Sequence, residues 1–343
     1  MSVNALPEDA SLESALQQAD EYLKAEQPAA AASVYQRVAA QATAQKSAEL
    51  RARALLGLGA AQLALGHLQE ASAHYLEVAQ SGSQNNSNNR LEIDALLGLV
   101  NLSLRMNQPD SAIAYYRRVK TTSVDTQFKH DISIQLANLQ YRLERYEDAL
   151  QSYQEAAGLA RQLGNMVLAH QAEAAVAMSC SSLGNTRSAI EHFEQAQTLA
   201  HGISDAAAEI GYVGQIGNLY AADNDLFKAQ HFLQSAVTMA EAHKDAQAES
   251  VWLGNLANVH ALMDQIHQAI NCYQRAIARS HSIGDDASEA RLLLNLGLTY
   301  AQDDVFDRAR SSIQKALEMF KNQGDQEMVA QAESALEQLD SLQ

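Results

Sequence analysis

Residues 284–323 read GDDASEARLLLNLGLTYAQDDVFDRARSSIQKALEMFKNQ, two helical patterns joined by a short turn. The first pattern carries Ala290, Leu293, Leu296, Gly297 and Tyr300; the second carries Ala309, Ile313, Ala316 and Phe320. Steps of three and four residues place each set on one helix face. Forty residues earlier the same positions hold Leu253, Leu256, Ala257, His260, Ala269, Tyr273 and Ala276. Another forty back they hold Val213, Ile216, Gly217, Tyr220, Ala229, Leu233 and Ala236. A fixed period of this kind is the signature of a repeat array, in which each unit buries its apolar face against its neighbours.

With the small residue near the start of each second helix as anchor, eight copies align, at Ala31, Ala71, Ala112, Ala149, Ala189, Ala229, Ala269 and Ala309. Most spacings are 40 residues; the step from Ala71 to Ala112 is 41 and that from Ala112 to Ala149 is 37. Four residues after the anchors stand Tyr35, Tyr75, Tyr116, Tyr153, Phe193, Leu233, Tyr273 and Ile313. Seven after stand Val38, Val78, Val119, Ala156, Ala196, Ala236, Ala276 and Ala316. The small residues let two helices approach, and the ring or branched chain fills the gap to the next.

The punctuation agrees. Pro28 and Pro109 fall three residues before their anchors, where a helix starts and a missing N–H costs nothing. Asp125, Asp205, Asp245 and Asp285 share one position and are expected to cap the next first helix. Gly164, Gly284 and Gly324 directly precede that position and suit the end of the helix before. The expected division is a short lead (1–5), eight repeats (6–323) starting near 6, 46, 87, 124, 164, 204, 244 and 284, and a capping helix (324–343). Ser81 to Asn89 is the one low-complexity stretch and is expected to be an inter-repeat loop. Asn85-Asn86-Ser87 within it fits a glycosylation acceptor, which matters only in a secreted chain.

The formal net charge is −17, from 24 Lys and Arg against 41 Asp and Glu, which disfavours a nucleic-acid partner. The charge is uneven: Gly284 to the end holds 5 basic and 12 acidic residues, Ser87 to Ser123 holds 5 basic and 3 acidic. Cys180 and Cys272 fall in different repeats and make neither a disulfide framework nor a zinc site. No signal peptide and no apolar run of about 20 residues is present, so the expected location is the cytoplasm, with no membrane insertion.

No catalytic pattern emerges. The 11 histidines show no His-Glu-x-x-His or comparable metal spacing, and no phosphate loop or nucleophile elbow occurs. His192 and His231 fall in second-helix stripes, and Trp252 is expected to pack between repeats. The chain is expected to be a non-enzyme, without cofactor or metal.

The stripes resemble the tetratricopeptide repeat, whose pattern is a bulky residue, Leu-Gly or Leu-Ala, then Tyr, with Ala, an aromatic and Ala on the second helix. Leu293, Leu296-Gly297, Tyr300, Ala309, Ile313 and Ala316 carry the best match, and the likeness covers residues 6 to 341. The 40-residue period and Leu294-Asn295-Leu296-Gly297 are similar to the Leu-Gly-Asn-repeat and kinesin light chain types. The fifth copy, around Met178 to Ser182, keeps the sizes but few signature residues. The resemblance implies an all-α, right-handed superhelical α-solenoid of eight helix-turn-helix repeats plus a C-terminal capping helix.

It further implies a concave groove, lined by the first helices, that holds a peptide segment of another protein. Asn101, Asn138, Asn218 and Asn258 share one groove position. A row of carboxamides, each with a donor and an acceptor, can pair with peptide N–H and C=O groups. Gly214 and Gly254 occupy a second groove position, where the reading is divided between close approach of a ligand and close packing of helices. Arg105, Arg142 and Tyr141 are expected near the groove, as grips for a partner carboxylate. Family members that clamp an acidic C-terminal tail use basic residues at positions held here by Leu16, Leu56, Leu97, Ile134, Ala174, Gly214, Gly254 and Leu294. None is basic, so that clamp is not expected. The function expected is a peptide-binding interaction scaffold. A ligand-responsive regulator and a self-assembling scaffold, which would homo-oligomerise, are the alternatives.

Overall fold

The computed structural model describes residues 11–82 and 89–341, among which there are 17 α-helices and no strand. The Ser81 to Asn89 loop and its Asn85-Asn86-Ser87 acceptor fall largely outside the described residues. The helices group into two compact units, Met1–Leu163 and Gly164–Gln343. Unit 1 holds α1 (Leu12–Lys24), α2 (Pro28–Ala44), α3 (Ala48–Leu65), α4 (Leu68–Gly82), α5 (Asn89–Arg105), α6 (Pro109–Thr122), α7 (Thr126–Arg142) and α8 (Tyr146–Gln162). Unit 2 holds α9 (Met166–Ser182), α10 (Thr186–Gly202), α11 (Ala206–Ala222), α12 (Leu226–His243), α13 (Ala246–Leu262), α14 (Ile266–Ile283), α15 (Asp286–Gln302), α16 (Phe306–Gln323) and the lone α17 (Gln326–Ser341). Each unit is an α-solenoid of helix pairs, eight pairs in all, with α17 packed on α16.

The anchor pattern forms the core. All eight anchor alanines are fully buried, as are the residues seven further on, and the ring or branched residue between them is 8% exposed or less. The space is made from the other side by glycine. A Cβ on Gly297 would lie 2.5 Å from Ile313 Cγ1, one on Gly217 2.7 Å from Leu233 Cγ, and one on Gly59 2.8 Å from the Tyr75 ring. At these three repeats glycine is a steric requirement of the side chain opposite, whereas Ala19, Val100, Ala137, Ala177 and Ala257 hold the position in the others. Val329, Ala332, Ala335 and Leu339 of α17 are buried, and α17 packs on α16.

The turns explain the helix lengths. Asp125, Asn165, Asp205, Asp245, Asp285 and Asp325 each accept a hydrogen bond from the N–H three residues on, at 2.8 to 3.2 Å. These are the side-chain N-caps that the aspartate register suggests. Bonds from the Ser288 hydroxyl and N–H hold the Asp285 carboxyl below its ordinary range. At the helix ends Gly164, Gly284 and Gly324 adopt φ of 65°, 71° and 72°. Lys46, Ser204 and Lys244 take the same left-handed conformation at equivalent turns. The α6–α7 connection, in the 37-residue step, turns instead through an extended Ser123.

Candidate functional site

In three pairs the first-helix residue eleven before the anchor accepts a hydrogen bond from the tyrosine of the following second helix. In α7 and α8 the Tyr153 hydroxyl donates to Asn138 Oδ1 at 2.5 Å. In α13 and α14 Tyr273 donates to Asn258 Oδ1, and in α1 and α2 Tyr35 donates to Asp20 Oδ1 at 2.5 Å. Burial pushes the Tyr153 and Tyr273 phenols up to about 12, so both remain donors at neutral pH. The asparagine row is thus partly internal: the carbonyl oxygens of Asn138 and Asn258, both exposed residues, staple the two helices of a pair. Where the tyrosine is missing the staple is missing. Asn218, whose second-helix counterpart is Leu233, lies 3.5 Å from Gln215 Oε1. Asn101 is exposed, and its counterpart Tyr116 donates to Gln135 Oε1 of the next pair at 3.1 Å.

In unit 2 a cavity of about 160 Å3 opens between the first helices α13 and α15. It is lined by Asn255 and Asn258 from α13, and by Ser288, Arg291 and Asn295 from α15, over a floor of Gly254 and Leu292. Asn255 and Asn295 are half-buried and lie forty residues apart at one repeat position. Their carboxamides make no hydrogen bond within the described residues, and Arg291 is exposed. The glycines have a packing cause. A Cβ on Gly254 would fall 2.8 Å from Leu292 Cδ2, and one on Gly214 2.5 Å from the Trp252 ring. Each glycine admits a large side chain of the next first helix, and Trp252 packs between repeats.

Unit 1 has a first-helix cavity of different character, about 450 Å3, between α1, α3 and α5. Leu16, Leu56 and Leu91 line it together with Asp20, Glu49, Arg53, Arg90 and Asp94. Arg53 Nη1 donates to both oxygens of the Glu13 carboxylate, at 2.9 and 3.0 Å. Asn101 and Asn138 are not part of it. Nor are Arg105, Arg142 and Tyr141, which stand at the C-terminal ends of α5 and α7. Arg105 Nη1 is 3.4 Å from the Leu63 carbonyl at the end of α3, where a helix terminus favours a cation. Tyr141 stacks edge-on against Tyr146 at 5.1 Å, and Arg142 is exposed near Tyr116.

Sequence reading missed Asn255, Asn295 and Arg291 as site residues. The signal was present: Asn255 and Asn295 fall three residues before the asparagine row, one helical turn away on the same face. His192 Nδ1 sits 2.8 Å from the buried Glu173 carboxylate, an internal pair. Among the described residues no group of three or more His, Cys, Asp or Glu has metal-binding geometry. No helix among them is long and apolar enough to cross a membrane.

The tetratricopeptide-repeat sequence pattern matches residues 16–86, 133–167 and 248–322, together just over half of the chain. The chain is a tetratricopeptide-repeat protein. Its repeats also resemble solved structures. One is a signal transduction ATPase with a tetratricopeptide repeat sensor from Pyrococcus horikoshii, at 16% identity and TM-score 0.60, covering 91% of this chain. The chain spans about half of that protein, 49% of its length. Another is the apo form of RapI, at 14% identity and TM-score 0.58, covering 96% of this chain and 97% of that one. Aspartyl phosphate phosphatase F from Bacillus subtilis aligns at 12% identity and TM-score 0.55, covering 99% of this chain and 96% of that one. At these identities the likeness is one of fold. Curated protein sequences gave no match. The tetratricopeptide repeats and the two first-helix cavities are therefore what the functional reading rests on.

Proposed function

We propose that this tetratricopeptide-repeat protein is a non-catalytic interaction scaffold that holds an extended peptide segment of another protein on its first helices. The supporting observation is the carboxamide set of unit 2. Asn255, Asn258 and Asn295 line one cavity, and Asn255 and Asn295 have both donors and their acceptor available. Carboxamides satisfy the alternating N–H and C=O groups of an extended backbone without regard to its side chains. A net charge of −17 argues against a nucleic-acid ligand. Two buried free cysteines, whose thiols burial pushes up, suit a reducing cytoplasm.

The test is selection of a displayed random peptide library on the full chain, followed by affinity measurement of the enriched peptides. The double variant Asn255→Ala/Asn295→Ala is expected to bind them at least about tenfold more weakly, the loss of about 1.4 kcal/mol, at unchanged helical content. These two residues are a better probe than Asn258, whose removal also breaks the staple to Tyr273. Peptides that bind wild type and double variant equally would remove the groove reading.

A further inference from the structure

The unit 2 groove carries side-chain information beyond its amides. At the repeat position eleven before the anchor, α9, α11, α13 and α15 contribute Met178, Asn218, Asn258 and Leu298 in order. Met178 is 50% exposed and Leu298 46% exposed. Two large apolar side chains thus face solvent at the ends of a row whose middle is carboxamide. Isolated exposed apolar residues need no explanation. Here both occupy one register of the fold, on the same first-helix face as the amide-lined cavity.

Charge is distributed as unevenly as polarity. In a chain of net charge −17, the single charged residue lining the α13–α15 cavity is a cation, Arg291. It is exposed and lies on α15, the helix that also carries Leu298. A guanidinium so placed selects a carboxylate, which it can take in two parallel hydrogen bonds.

We infer that the segment bound by unit 2 is an extended peptide with two large apolar side chains, one over Met178 and one over Leu298, and a carboxylate beside Arg291 at the Leu298 end. The inference rests on the peptide-groove reading above. Each first helix of the row packs chiefly on the second helices beside it, and Met178 and Leu298 stand on first helices three repeats apart. The two apolar side chains of an extended occupant, which rises about 3.3 Å per residue, are therefore more than four residues apart in its sequence. The stretch between is read by Asn218, Asn255, Asn258 and Asn295 through its backbone, so its side chains are unconstrained.

Selection of random displayed 14-residue peptides on the full chain tests this. Enriched sequences should share two large apolar residues more than four apart, with Asp, Glu or the chain terminus next to one of them. For one such peptide, Arg291→Gln and replacement of the peptide acid by its amide should each weaken binding about tenfold, and combining them should cost little more. Met178→Ser with Leu298→Ser should weaken it by a similar factor, the melting temperature staying as in wild type. Peptides that depend on Asn255 and Asn295 but show neither the spacing nor the acid would overturn this inference and leave the groove reading standing. Apolar residues spaced three and four apart would overturn it too, since the occupant would then be helical. Peptides indifferent to the Asn255→Ala/Asn295→Ala variant, or no enrichment at all, would remove both.

Discussion

Fourteen residues before the anchor, unit 1 carries Gly57, Gly98 and Gln135, whereas unit 2 carries Gln215, Asn255 and Asn295. In unit 1 each is occupied from within. A Cβ on Gly57 would lie 2.3 Å from the Tyr35 ring and one on Gly98 2.7 Å from the Tyr75 ring, and Gln135 takes the Tyr116 hydroxyl. In unit 2 the carboxamides of Asn255 and Asn295 make no internal hydrogen bond and face a cavity. One register therefore serves two purposes. Where the preceding second helix carries a tyrosine directed at it, the position is sealed; where it is not sealed, it offers hydrogen bonds to something else. What a repeat position does in the fold depends on its packing partner in the neighbouring repeat, so one register is filled by a ring or a hydrogen bond in unit 1 and left facing a cavity in unit 2.

The largest expected effect tests the steric side of this contrast. Gly297→Val in unit 2 would place its Cβ 2.5 Å from Ile313 Cγ1 and 3.0 Å from the Ala309 carbonyl oxygen. Both lie in a helix pair with no slack, because Ile313 and Ala309 are fully buried. Overpacking of this kind costs about 2–3 kcal/mol. A urea titration should show the lowered midpoint, and hydrogen exchange should locate the loss in α15 and α16. An unchanged midpoint would mean that the Leu-Gly glycines are not required by the second helix.

A smaller effect separates staple from site within the asparagine row. Tyr153→Phe in unit 1 and Tyr273→Phe in unit 2 each remove a hydroxyl bond to Asn138 or Asn258 and should each cost about 1 kcal/mol. Asn101→Ala, at the same register but with its counterpart Tyr116 bonded to Gln135 instead, should leave stability within about 0.5 kcal/mol of wild type. Equal losses at all three positions in chemical denaturation would refute the staple.

The fold was legible because repetition tests every assignment eight times over. The anchor alanines, the Asp caps and the Pro28 and Pro109 starts are local signals, and each lies where its spacing put it. The candidate site was legible only by register. Asn258 could be placed on the first-helix face from the 40-residue period, but its bond to Tyr273 spans the turn of the pair and no propensity encodes it. Gly214 and Gly254 could not be assigned from sequence, because their meaning depends on Trp252 and Leu292, each 38 residues further on in the next repeat. Arg105 is expected near the groove from its place in the third repeat, and only the fold shows its Nη1 3.4 Å from the Leu63 carbonyl at the end of α3. Arg291 was overlooked because a lone cation attracts notice only once the cavity around it is known to contain no other charge.

The smallest effect has the opposite sign and probes how far the unit 2 groove extends. Gly211 of α11 and Gly158 of α8 have nothing within 4 Å of an added Cβ, unlike Gly57 or Gly297. Alanine at either should stabilise its unit by about 0.5–1 kcal/mol, because glycine loses more chain entropy on entering a helix. Gly211 shares its repeat position with Val251 and Arg291, which line the α13–α15 cavity, yet it lies one pair before that cavity. Gly211→Ala should therefore raise the urea midpoint and leave the affinity for a groove-selected peptide unchanged. A rise in midpoint with an affinity loss of more than about threefold, roughly 0.65 kcal/mol, would show that the peptide runs close against the α11 backbone, where only the absence of a side chain makes room for it. Gly158→Ala in unit 1 provides the reference, since the same stabilisation there comes from a second helix that lines neither cavity.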